Sequence, residues 1–350
     1  VRGYTHGVRR QPPPERTATR LADVVVLPSA RRPRSRPRGV VVGGLVLAVV
    51  FATSPLRDAD TDGAARALFA GIAAATTAAV LAIAGLRLLR RWRREEGRPG
   101  RVTWKVEALV VVAVGLATPL WSSVSRAGWR HVVADLALAV AVLATTCATD
   151  RDRPLERRAR SACVASAAAM LAVWVRPTPG PLGWHDRYGD AVWANLVSPA
   201  RGAVVYSSVV VVGAFVAWRL GGVLARATVV SVLGAAAVLF SVSAYETQWW
   251  GGSGYGPRFM TEAILVLVPV AVAGLLELVE QRREAGSPGL VGWVALLALV
   301  ASVSLHGIGA WSPSAWEWNH EPRSLADHPA RVWDWDDPPF GRPFGFGEGR

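Results

Sequence analysis

Trp249–Glu262 reads WWGGSGYGPRFMTE and lies between two apolar runs long enough to cross a bilayer. Its four glycines let backbone approach a ligand closely. Arg258 and Glu262, four residues apart after Pro257, fall on one face of a helix that starts there. A guanidinium beside glycine amides suits a phosphate group. Ionised groups at the mouth of a membrane helix are expensive enough to mark a site. Glu246, just upstream, and Gly252 join Arg258 as substrate-binding candidates, and Glu262 is a candidate catalytic carboxylate.

Three more polar clusters sit in connections of the same parity along the chain. Leu56–Gly63 carries Asp58, Asp60 and Asp62 at alternate positions, a spacing that serves a general base or a divalent cation. A polar turn between helices is the plainer reading. Trp121–Asp135 (WSSVSRAGWRHVVAD) places His131 and Asp135 one helical turn apart, so the carboxylate orients the imidazole. A structural His–Asp pair explains them equally well. Arg176–Gly202 opens with Arg176 and three prolines that forbid a helix, and ends in Ser198-Pro199-Ala200-Arg201-Gly202. Arg201 there is a candidate for holding an anion.

The elements that must position these groups are membrane helices. The chain is 51% hydrophobic with mean hydropathy +0.28, which for 350 residues fits apolar spans joined by polar loops. We read an all-α, polytopic bundle of about nine spans: Gly39–Pro55, Leu68–Leu89, Val106–Trp121, Val132–Ala148, Ala162–Val175, Ala203–Leu220, Ala227–Ala244, Ala263–Val279 and Gly289–Trp311. Residues 1–38 form a basic, proline-rich tail, residues 39–311 the helical domain, and residues 312–350 a Trp/Pro-rich extracytoplasmic tail. The chain opens on Val1, as an alternative start codon or a fragment would.

Net charge is +13, but the basic residues cluster between apolar runs instead of on one soluble face, which argues against nucleic acid. With the N-terminus inside, inner segments hold 27 of the 39 Lys and Arg, while outer segments hold 15 of the 26 acids. That bias satisfies the positive-inside rule and puts the C-terminus outside a bacterial cytoplasmic membrane. Twelve of the 16 tryptophans fall on the outer side, as interfacial anchors do. The inner loops read as solvated arginine facing anionic lipid. Cys147 and Cys163 have no metal-binding or CxxC spacing.

Five segments in order resemble bacterial multi-pass proteins of the GT-C glycosyltransferase superfamily, which includes protein O-mannosyltransferases and aminoarabinose transferases. They are Ala117–Trp121 with Ser125–His131, Val175–Thr178, Leu196–Tyr206, Gly251–Glu262 and Arg331–Pro338. The resemblance implies transfer of a sugar from a polyprenyl-phosphate donor at the outer leaflet. It makes Arg258 and Arg201 phosphate contacts and Asp58, Asp60 and Asp62 base or metal candidates, with a divalent metal as a candidate cofactor. The first outer segment, Leu56–Ala67, is shorter than that family's. This departure motivates a second reading, a non-catalytic protein that binds lipid-linked glycan or scaffolds envelope assembly. A secondary transporter would need ionisable residues at mid-span and inverted repeats, and neither is evident.

Overall fold

The computed structural model describes residues 38–56, 61–98, 102–124, 129–175, 186–245, 248–252 and 254–347. Among these, helices and short turns are the only regular elements. In order they are α1 (Arg38–Leu56), α2 (Thr61–Glu95), α3 (Trp104–Leu116), α4 (Pro119–Val124), α5 (Trp129–Ala148), α6 (Leu155–Val175), α7 (Tyr188–Val197), α8 (Ala203–Tyr206), α9 (Ser208–Leu220), α10 (Val223–Ala244), α11 (Thr261–Ala285), α12 (Gly289–Trp311) and α13 (Pro313–Glu317).

Six described helices are long and apolar enough to cross a membrane: Leu68–Glu95, His131–Ala148, Leu155–Val175, Val223–Ala244, Arg258–Ala285 and Gly289–Trp311. Val40–Phe51 and Ser208–Leu220 are shorter apolar helices. Two expected spans are broken. The Val106–Trp121 run stops at Leu116 and restarts at Pro119, because proline lacks the N–H to continue a helix but fits its first turn. The Ala203–Leu220 run breaks at Ser207, whose φ of −121° and ψ of 39° leave helical geometry.

α11 is the central post. It buries Ile264, Leu265, Val268, Val270, Val272 and Leu276 and packs on α9, α2 and α10. Lipid tails are as apolar as leucine, so helices in a bilayer gain little by hiding apolar surface and associate through close packing instead. The contacts of α11 obey that logic. A Cβ at Gly85 of α2 would lie 2.7 Å from the Val272 side chain, and one at Gly274 would lie 2.2 Å from the Gly213 carbonyl oxygen of α9. Elsewhere apolar side chains point outward: α6 buries none of its residues, and Trp174, Leu290 and Leu297 are exposed. Such a surface is a liability in water and an ordinary one against acyl chains. The chain is a multi-pass membrane protein.

The α2–α3, α5–α6, α9–α10 and α11–α12 connections gather at one arginine-rich end. Arg93 of α2 and Glu277 of α11 form a pair at 2.9 Å whose side chains are 8% and 10% exposed. Arg98 reaches the same carboxylate at 3.1 Å and also bonds Glu96, whose Oε1 accepts from the Gly222 backbone N–H between α9 and α10. Arg90 meets Glu107 of α3, and Arg94 meets Asp152 beyond α5. The expectation of solvated arginines at these loops is corrected for Arg93, which is buried and paired. Several are matched to acids on neighbouring segments; only the Arg93–Glu277 pair is buried on both sides, where loss of water makes a partner necessary, while Arg90, Arg94 and Arg98 stay half exposed. With 35 residues, α2 is about 52 Å long at ~1.5 Å per residue.

Gly274→Ala is expected to destabilise the protein by about 1–3 kcal/mol, because the new methyl meets backbone that cannot yield locally. Gly234→Ala on α10, where a Cβ meets nothing within 4 Å, is expected to gain about 0.5–1 kcal/mol from helix propensity. Thermal unfolding in detergent micelles reads both. Equal effects at the two positions would contradict the packing assigned to α11.

Candidate functional site

At the opposite, tryptophan-rich end, three segments far apart in sequence meet around Arg201. α7 ends at Ser198, whose extended backbone (φ −69°, ψ 154°) leads into Pro199-Ala200-Arg201-Gly202. The Ser198 hydroxyl oxygen accepts from the Arg201 backbone N–H at 3.0 Å, and Gly202 N–H closes the turn on the Ser198 carbonyl at 2.8 Å. Tyr206 of α8 donates its hydroxyl to the Pro199 carbonyl at 3.0 Å. The arginine is thus aimed inward and is only 1% exposed.

Its guanidinium donates to the carbonyls of Trp250, Ala200 and Gly252 and to Oδ1 of Asn319. Burial pushes this group down to about 10, which leaves it a full cation at neutral pH. None of these four acceptors is a carboxylate; the charge is solvated by backbone and amide oxygens. The loop that supplies two of them needs its glycines. Gly251, Gly252 and Gly256 have φ of 87°, 56° and 62°, and a Cβ at Gly251 would stand 3.3 Å from the Arg201 Nε. Beyond the loop, the Tyr255 and Tyr206 rings meet edge to face at 5.4 Å, and Tyr255 donates to the Leu305 carbonyl of α12.

Arg258 begins a one-turn 3-10 segment (Arg258–Met260) that leads into α11. Its side chain runs past Gly254, where a Cβ would fall 2.7 Å from the Arg258 Cδ. The Arg258 Nε is buried and has no hydrogen-bond partner among the described residues. Arg201 and Arg258 act on each other as like charges across the loop, and Glu262 in the first turn of α11 acts on Arg258 as the opposite charge. A donor without an acceptor at a buried position is costly.

The C-terminal segment is docked over this end. The Trp318 indole N–H donates to the Asp337 carbonyl, and the Arg331 guanidinium lies 4.5 Å over the Trp318 ring. Arg342 bonds both Asp337 oxygens at 2.6 Å. The Ala200 N–H reaches the Val332 carbonyl at 3.4 Å. Residues Arg331–Pro338, quoted above for their resemblance, therefore form the clasp that holds this tail together.

The structure brings Arg201, Gly252 and Arg258 to one loop, but it gives Arg201 a different task from the one expected. Its donors hold protein oxygens, so it shapes the loop instead of presenting itself to a ligand. His131 and Asp135 lie on α5, which packs on α6 and α2; His131 is half-buried, Asp135 is buried, and both are partnered. Asp62 belongs to the first turn of α2 and not to a connection. Asp58, Asp60, Arg176 and Glu246 lie outside the described residues. Among the described residues no three His, Cys, Asp or Glu side chains gather as metal ligands would.

Sequence reasoning missed Asn319 and a buried histidine. His306 of α12 is fully buried; its Nδ1 lies 3.0 Å from the Ser122 hydroxyl of α4 and its Nε2 3.2 Å from that of Ser207. A neutral ring serves both hydroxyls, donating through one nitrogen and accepting through the other. This bridge ties α12 to the two breaks in the expected spans. The signal available was a lone histidine in an otherwise apolar run, with serines at both breaks. Comparison with protein-family models, curated proteins and solved structures finds no match for this chain.

Arg201→Met is expected to destabilise the tryptophan-rich end by roughly 2–3 kcal/mol, since four oxygens lose a charged donor. Asn319→Ala is expected to lose about 1 kcal/mol. Limited proteolysis at Glu317–Arg323 and a melting curve read the two effects, and an unchanged cleavage rate in the methionine variant would refute the role given to this cation.

Proposed function

We propose that this protein holds the phosphate of a polyprenyl-phosphate sugar at its tryptophan-rich end, on the extracytoplasmic side of a bacterial cytoplasmic membrane. The observation that carries the reading is the buried Nε of Arg258 beside the glycine loop, which has no partner among the described residues. A phosphate oxygen supplies the acceptor that Nε lacks, and its negative charge offsets the two like-charged guanidiniums. The tryptophans at this end suit an interface where sugar meets lipid. The sidedness follows from the excess of arginine at the other end.

A second reading adds chemistry to binding, and the ordered motifs resembling GT-C glycosyltransferases favour it. A carboxylate among Asp58, Asp60, Asp62 and Glu262 takes the proton of an acceptor hydroxyl. The acceptor oxygen bonds to the anomeric carbon as the bond from that carbon to the phosphate oxygen breaks, and polyprenyl phosphate leaves. Without that step the protein is a binder of lipid-linked glycan, consistent with its short first outer segment.

In proteoliposomes, Arg258→Ala is expected to weaken binding of a polyprenyl-phosphate sugar at least tenfold while leaving the melting temperature within a few degrees. Binding that survives this change rejects the site. For the transferase reading, the Asp58/Asp60/Asp62 triple alanine variant or Glu262→Gln should bind normally and lose turnover. Binding with no turnover by the unaltered protein, whatever the acceptor, leaves the binder. A cysteine placed at Ser253, in a background lacking Cys147 and Cys163, should react with impermeant reagent from outside; labelling only from inside reverses the orientation.

A further inference from the structure

A second feature, independent of the phosphate site, lies toward the other end of the bundle. α3, α9, α11 and α12 enclose a groove of about 730 Å³, within the ~300–1,000 Å³ typical of small-molecule sites. Its walls are almost wholly aliphatic, with Leu109, Val110, Val210, Val272, Leu275 and Leu299 among them. Its mouth is not. There, the last turn of α11 and the α11–α12 turn contribute Arg282, Arg283, Gly286, Ser287 and Pro288.

The two arginines at the mouth differ from their neighbours. Arg90, Arg93, Arg94 and Arg98, at the same end, are each matched by a carboxylate within 3.1 Å. Arg282 and Arg283 have neither an ion pair nor a hydrogen bond among the described residues, although Glu280 and Glu284 share their stretch of helix. Arg282 is nevertheless placed, not loose. It is half-buried, and its guanidinium lies so close to the turn that a Cβ on Gly289 would stand 2.7 Å from Nη1. The φ of 58° at Gly289 and 70° at Gly286 sets the tight turn that brings the next helix back along the groove.

We infer that this groove takes one acyl chain of an anionic glycerophospholipid, with the lipid phosphate on Arg282 and Arg283. Two unmatched cations at the open end of an aliphatic channel complement a molecule that is anionic at one end and aliphatic along its length. Basic pockets between membrane helices on the cytoplasmic side recognise anionic head groups in this way. The chain itself gains little over bulk lipid, since tails and valines are equally apolar, so selectivity rests on the head. The α3 wall from Val106 to Ala117 spans about 17 Å at ~1.5 Å per residue, comparable with one leaflet of a ~30 Å hydrocarbon core.

The test uses the full chain in detergent micelles titrated with phosphatidylglycerol, phosphatidylcholine or undecaprenyl phosphate, with bound lipid read by native mass spectrometry. Phosphatidylglycerol should bind at least tenfold more tightly than phosphatidylcholine, and the preference should shrink as salt rises. Arg282→Ala/Arg283→Ala should abolish the preference without lowering the melting temperature. Ala113→Phe, which fills the groove and leaves both arginines, should also abolish it. Equal binding of the two phospholipids, or a preference that survives the double alanine change, overturns the inference. Stronger retention of undecaprenyl phosphate than of phosphatidylglycerol overturns the assignment of the occupant. Loss in the double variant but full binding in Ala113→Phe overturns the role of the groove.

Discussion

The tryptophan-rich end depends on one buried cation without a buried anion. Arg201 is tied to the Pro199–Gly202 turn by its own backbone, to the Trp249–Gly252 loop by two carbonyls, and to the C-terminal segment by Asn319. Isolated charge in a low-dielectric place is tolerated only when several oxygens solvate it, and each of those oxygens must then be held still. That requirement explains the glycines with positive φ, which let carbonyls turn toward the guanidinium. It also explains the docked tail, which brings the one side-chain acceptor. Remove the cation and three segments lose their common partner at once.

Two arginines that look alike in the sequence have separated into different roles. Arg201 is held by four protein oxygens, whereas the buried Nε of Arg258 meets no acceptor among the described residues. They act on each other as like charges across the glycine loop, and Glu262 offsets part of the charge on Arg258.

Much of this architecture is legible in the sequence because a bilayer imposes simple rules. Long apolar runs become helices, and the alternation of arginine-rich and tryptophan-rich connections brings like with like at each end of the bundle. The breaks near Thr118 and Ser207 are less legible. Pro119 is visible, but the Ser122–His306–Ser207 bridge joins residues 184 and 99 positions apart, and no local pattern reports such a pairing. The Arg93–Glu277 pair is hidden for the same reason: each residue alone reads as a surface charge near a helix end. Within the site, the Gly251–Arg258 motif announces itself through composition, while Asn319 does not, because its role follows from where the tail folds back.

The length of α2 has a mechanical consequence. A rod of about 52 Å would have to lean by roughly 55° to fit within a ~30 Å hydrocarbon core, more than the ~40° that spanning helices reach. Part of it therefore extends past that core, and its C-terminal end carries Arg90, Arg91, Arg93 and Arg94, with Trp92 and Arg93 buried against neighbouring segments. Through Glu107, Asp152 and Glu277 that end is tied to three other parts of the bundle. The arginine-bearing end of α2 is therefore a braced strut, held to α3, to the turn after α5 and to α11, so that a load on any one of them is shared by the rest.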